Sequence, residues 1–145
     1  MNVKELKPLD FKYKKYHNFI IVKKLKKKEF KHFNLKKGIL GLKASYSDII
    51  DSKQIISFIK VVARNCKRQY KLWLYCYPNV SLTAKSISVR MGKGIGNIIN
   101  WIFVIKKNKI ILEIIGKSKI IILNSLKKSK KKLSLATKII IKKKI

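Results

Sequence analysis

The residues best suited to chemistry by type and spacing are Val89-Arg90-Met91-Gly92-Lys93-Gly94-Ile95-Gly96-Asn97. Three glycines at alternate positions sit among two cations, one amide and several apolar side chains. A glycine has no Cβ, so a backbone rich in it takes positive φ and closely approaches another surface. Strand-like residues precede it (71–77, then 87–89) and follow it (101–105), so the loop would press main chain and positive charge against a polyanion. A nucleotide-binding fold is not indicated. Gly-x-Gly-x-x-Gly needs different spacing and a helix directly after it, and Gly-x-x-x-x-Gly-Lys-Ser/Thr is absent.

Covalent and acid–base chemistry have no comparable support. Glu5, Asp10, Glu29, Asp48, Asp51 and Glu113 offer no close pair. His17 and His32 stand without a neighbouring carboxylate or cysteine and read as phosphate or RNA contacts, or as plain surface. Cys66 and Cys76 are too few and too far apart for a zinc site, so buried, inert thiols are expected. The chain is therefore expected to be no enzyme, with no cofactor, metal or small-molecule substrate.

The elements that must position this loop belong to a chain of 145 residues, enough for one domain with a moderate core. It is 47% hydrophobic yet carries 37 Lys and Arg against 6 Asp and Glu, a net charge of +31. So unbalanced a charge repels itself, and something must supply anions. Nucleic acid does so most densely; an anionic membrane surface and an acidic protein are the alternatives. Only Arg64, Arg68 and Arg90 are arginines among these cations, a ratio that with heavy isoleucine use suggests an AT-rich genome. Arginine recognises planar acceptors better than lysine, which marks these three for specific contacts. No apolar run is long enough to span a membrane, so no insertion is expected. No signal peptide is read at the start, and an organellar gene would need no address.

Residues 1–37 read as a basic N-terminal arm, 38–141 as a single α+β RNA-binding domain and 142–145 as a lysine tail. In the arm, Phe11, Lys12, Tyr13, Lys14, Lys15, Tyr16 and His17 interleave cations with rings, which suits phosphate contact and base stacking. Residues 19–22 suggest a short strand, and 38–44 a strand whose glycines permit close packing. Residues 47–52 resemble a turn, with Asp51 or Ser52 capping the helix after it. Over 53–69, Ile55, Ile56, Ile59, Val62, Ala63 and Cys66 recur at helical spacing. Lys53, Lys60, Arg64, Lys67, Arg68 and Lys71 fall on the other side as a positive ridge for phosphates. Residues 71–77 predict a strand with Trp73, Tyr75 and Tyr77 on one face, more often core than a stacking platform. A hairpin is expected from 100–106 and 109–115 about Lys107-Asn108. Ile121, Ile122, Ser125, Leu126, Ser129 and Leu133 predict a second helix over 118–132, and 135–141 a last strand.

These residues resemble a known family. Arg90-Met91-Gly92-Lys93-Gly94, then Gly96-Asn97 and Trp101, is similar to the signature of the bacterial-type large-subunit ribosomal protein sixteen family. Lys12, Tyr13, Lys14, Lys15 and His17 fall in register with that family's basic opening. Gly41-Leu42-Lys43-Ala44, Lys67-Arg68, Lys71-Leu72-Trp73, Ile111-Leu112-Glu113 with Gly116, and Lys132-Leu133 with Thr137 match further along. The resemblance implies two helices packed on a mixed, hammerhead-like β-structure, a structural role in the large ribosomal subunit, and large-subunit rRNA, tRNA and neighbouring ribosomal proteins as partners. It implies that Arg90, Met91, Gly92, Lys93, Gly94, Gly96 and Asn97 face tRNA and the peptidyl transferase centre. It also implies that the arm, with Lys60, Arg64, Lys67, Arg68 and Lys71, holds rRNA. Ile95 stands where relatives usually carry a second cation. Asn97, the Trp101-Ile102 pair and a missing proline in the last strand look closer to mitochondrial than to plastid versions.

Overall fold

In the computed structural model, which describes residues 6–8, 14–17, 21, 23, 25, 34–67, 69–92 and 94–142, the apolar stripe expected over 53–69 is helix α1, Ser52–Asn65. Asp51 caps it, and the Asp51 N–H returns to Gln54 Oε1 at 3.4 Å. Ile55, Phe58 and Val62 point inward. Phe58 joins the inward stripe, whereas Ile56 and Ala63, expected in it, are only half-buried. Lys67 ends the helix in the left-handed region, φ 46°, where glycine is usual. The second helix, α2, is Lys119–Ser129, followed by a 3-10 turn at Lys130–Lys132. It buries Ile122, Ser125, Leu126 and Ser129, whereas Ile121, expected inside, is 51% exposed. The hydroxyls of Ser125 and Ser129 donate to Ile122 O and Leu126 O one turn back, which satisfies them inside the core. The Cys66 thiol meets Ser125 Oγ at 3.4 Å and so joins the end of α1 to α2.

Among the described residues seven strands form two sheets, and with the helices give the α+β class expected: β1 Leu40–Ala44, β2 Asp48–Asp51, β3 Tyr70–Leu74, β4 Val80–Ala84, β5 Asn97–Ile105, β6 Ile110–Gly116 and β7 Thr137–Ile141. The first sheet runs β3-β6-β1-β7 and the second β2-β5-β4. Every pairing among the described residues is antiparallel, where the resemblance implied a mixed β-structure. Leu40 opposite Ile114 and Leu42 opposite Leu112 form the floor of the main core, on which Phe58, Val62, Ile122 and Leu126 rest. Each such side chain, fully buried, contributes about 1.5–3 kcal/mol. The second sheet has two apolar faces: Ile50, Phe103 and Ile105 meet the main core, while Val80, Ile102 and Val104 meet Tyr16, Ile21 and Leu25.

Several expectations are corrected. The hairpin about Lys107-Asn108 does not exist, because β5 and β6 belong to different sheets; the turn there, with Asn108 at φ 69°, passes the chain from one sheet to the other. The turn read at 47–52 contains β2, which Asp flanks at both ends and so disguised. Residues 87–89 are not a strand but part of an exposed loop, and the actual strand before it is β4. Ile21, Lys23 and Leu25 are helical, against the strand read at 19–22, whose other members lie outside the described residues. The row Trp73, Tyr75, Tyr77 is not core: Tyr75 is 38% and Tyr77 47% exposed. The strand ends at Leu74, and the opposite row, Leu72, Leu74 and Cys76, faces the interior.

Cys66 and Cys76 are both buried and free. Burial pushes the Cys76 thiol up to about 12, against smaller lowering by a backbone hydrogen bond and by Lys109. Roughly one thiol in ten thousand is then ionised at pH 8. Iodoacetamide at pH 8 is expected to leave Cys76 untouched in the folded chain and to alkylate it after denaturation; equal rates in both states contradict this.

Candidate nucleic-acid interface

Strands β4 and β5 are neighbours, so residues 85–96 form the connection at one end of the second sheet, closed by the Ala84–Asn97 pair. A register shift between Leu82 and Thr83 sits just before it, and such a bulge bends and twists a strand end. Within the loop the Val89 N–H donates to Ser86 O at 3.1 Å, and Lys85 Nζ donates to Gly92 O. Gly92 and Gly94 stand at φ 98° and 82°. Nothing lies within 4 Å of a Cβ added at either, so conformation rather than space calls for glycine there. At Gly96 space decides, because a Cβ would run into the Ala84 carbonyl. Arg90 is exposed, and Ile87 and Met91 are about as exposed as free side chains, 107% and 98%. Lys93 lies outside the described residues. Asn97 is the first residue of β5 rather than a loop residue.

The arm reaches this loop. Ser81 Oγ–H of β4 donates to Lys14 O at 2.6 Å, and Lys15 Nζ donates to Ile95 O at 3.5 Å. Lys14, Lys15 and His17 are all exposed beside the second sheet; Lys12 and Tyr13 lie outside the described residues. The ridge stands on another element. Lys53, Lys60 and Arg64 are exposed along α1, with Lys67 exposed just past its end and Lys71 on β3. Arg64 and Lys67 also sit at the carbonyl end of α1, where the helix dipole favours cations. Arg68 lies outside the described residues.

Reasoning from sequence missed Glu113. It lies in the middle of β6, the sequence IILEIIG, and is 1% exposed. Its Oε1 accepts from the Lys36 N–H at 3.1 Å, and its Oε2 from the Lys37 and Gly38 N–H groups at 2.7 Å each. Burial pushes the carboxyl up, but the hydrogen bonds from Gly38, Lys36, Lys37 and the Tyr75 hydroxyl outweigh it and hold it below the usual carboxylate range. Tyr75 is raised in turn by burial, then by the charge of Glu113 and their hydrogen bond. One carboxylate thus fastens the end of the arm to the middle of the first sheet. A lone acid in an apolar strand was the available signal, since such a residue is almost never buried unpaired.

The family model for ribosomal protein L16p/L10e matches residues 8–140. The chain belongs to this family. It is similar to the large ribosomal subunit protein uL16c of Cyanidium caldarium, 39% identical over 113 residues that make up 78% of each chain. It is also similar to uL16 of Hyphomonas neptunium, 36% identical over 108 residues, 74% of this chain and 78% of that one. Against uL16 of Cereibacter sphaeroides the identity is 34% over 110 residues, 76% and 80% of the two chains. As an L16p/L10e protein the chain is a structural component of the large ribosomal subunit, not an enzyme. No helix among the described residues is long and apolar enough to cross a membrane.

Proposed function

We propose that this protein binds large-subunit rRNA through its arm and α1 ridge, and that its 85–96 loop reaches tRNA near the aminoacyl site and the peptidyl transferase centre. The observation that carries this reading is the loop itself. Ile87 and Met91 stand fully in solvent beside exposed Arg90, on a backbone with open space around Gly92 and Gly94. Apolar side chains held out in this way, among cations, fit a surface of phosphates and base or ribose faces. The protein contributes position and charge, and the reacting groups belong to its partners. Lys14, Lys15, Lys60, Arg64, Lys67 and Lys71 neutralise backbone phosphates and His17 contacts the RNA beside them, with Lys12, Tyr13, Arg68 and Lys93 completing the arm, ridge and loop. The domain reading follows: a basic arm over 1–37, an α+β body over 38–141 and a tail over 142–145.

We place it in an organellar ribosome, the mitochondrial in preference to the plastid. Lysine and isoleucine excess, Asn97 and the Trp101-Ile102 pair support that choice. Co-sedimentation of the chain with mitochondrial large subunits, and crosslinks from Arg90 to tRNA or catalytic-centre RNA, are expected. Crosslinks confined to the solvent side of the subunit would reject the loop's role. For the ridge, the Lys60→Gln, Arg64→Gln, Lys67→Gln triple variant is expected to weaken RNA binding at every sequence. The slope of log affinity against log salt should fall by about 2–3, one cation's worth for each substitution. An unchanged slope contradicts the ridge assignment.

A further inference from the structure

Beside the Glu113 anchor lies a cavity of about 230 Å³, lined by Asn34, Lys36, Tyr75, Lys109, Ile110 and Glu113. It is on neither the loop nor the α1 ridge. We propose that it receives the base of one unstacked RNA nucleotide, against Tyr75, with Lys36 and Lys109 on the flanking phosphates. This rests on the RNA-binding reading above.

The size decides first. The volume accommodates a single flat heterocycle but falls short of the roughly 300–1,000 Å³ of a site for a drug-sized molecule. The chemistry decides next. The Glu113 carboxylate has about four acceptor positions, and the Lys36, Lys37 and Gly38 N–H groups take three of them, with the Tyr75 hydroxyl holding its charged form as well. The carboxylate is therefore occupied by the protein and does not select a cationic or donor-rich ligand. What remains among the described lining residues is apolar surface from Ile110, a half-exposed tyrosine ring, one amide and two ammonium groups. An aromatic face with cations beside it is the arrangement that stacks a base and holds its backbone. The Asn34 amide offers a donor and an acceptor together, the pair that matches an adenine edge. The site is also built firmly. The Tyr75 N–H donates to Ile111 O at 2.9 Å, and Lys109 Nζ lies 5.0 Å from the Phe103 ring centre.

The test uses the full chain at physiological salt with two probes, AMP and ribose 5-phosphate, which share the phosphate and differ in the base. AMP is expected to bind at least about tenfold more tightly and to shift the amide resonances of Tyr75 and Ile110. Tyr75→Phe should keep that margin and Tyr75→Leu should abolish it. Equal binding of the two probes by the wild-type chain overturns the proposal, whether or not the leucine variant folds. Photo-crosslinking in assembled large subunits separates the two readings. Crosslinks at the α1 ridge and at Tyr75 support both. Crosslinks at the ridge with none at Tyr75 overturn the cavity alone, and none anywhere on the chain overturns RNA binding as well.

Discussion

Glu113→Gln is expected to destabilise the fold by about 2–4 kcal/mol, and Glu113→Ala by at least as much. The carboxylate receives three backbone N–H groups, two of them at 2.7 Å, in a site 1% exposed to solvent. A glutamine offers one acceptor oxygen and turns an NH₂ group toward donors, leaving at least one of them facing another donor. Alanine leaves all three N–H groups without this acceptor and opens a void. The same site makes stability depend on pH in a definite direction. The folded-state pKa of Glu113 lies below the ordinary value, so between the two values the unfolded chain binds the proton and the folded chain does not. Its contribution is complete above the ordinary glutamate pKa of about 4.3 and disappears as pH falls through the lower folded value. Urea melts of wild type and Glu113→Gln should therefore converge on acidification and separate above about pH 5. A constant gap from pH 3 to 7 contradicts the anchor as an ionised group.

Gly96→Val is expected to unfasten the stem of the 85–96 loop. A Cβ at this position meets Ala84 O, Ala84 C and Lys85 N, all backbone atoms of the opposite strand end. Backbone gives way less readily than the tip of a side chain, and overpacking of this kind costs about 1–3 kcal/mol. The Ala84–Asn97 pair, the last of the β4–β5 register, must open. Amide exchange at Asn97 and Ile98 should rise while that of the first sheet stays unchanged, and crosslinks from Arg90 to ribosomal partners should fall. Gly94→Ala is the contrasting variant. It meets no atom but sits at φ 82°, so it strains the loop without lifting its stem. Equal exchange at Asn97 in the two variants contradicts the close-approach role of Gly96.

The Glu113 result has a consequence for the arm. Lys36, Lys37 and Gly38 are held by it, Lys142 Nζ donates to Lys36 O at 3.3 Å, and Tyr77 OH donates to Lys7 O at 2.6 Å. Tyr16, Ile21 and Leu25 pack on the second sheet. The basic segment is thus attached at several points, and attachment limits how much order an RNA partner must impose. Its cations nevertheless remain outward, as exposed Lys14 and Lys15 show.

What the sequence determined by itself was whatever depends on neighbours along the chain. The stripe of α1 with its Asp51 cap, the inward row of α2, the open glycines at 92 and 94 and the cationic surplus are local properties, visible as period, residue type and count. Tertiary structure decided the rest. Residues 87–89 look strand-like, yet no sheet receives them, and Ile87 stands in solvent. β5 and β6 follow each other across a short turn, yet each has two better neighbours elsewhere, so they part into different sheets. Pairing of strands, and the partner of a buried charge such as Glu113, are settled between residues some 75 positions apart, because a hydrogen bond or an apolar contact acts through space and carries no mark of its distance along the chain.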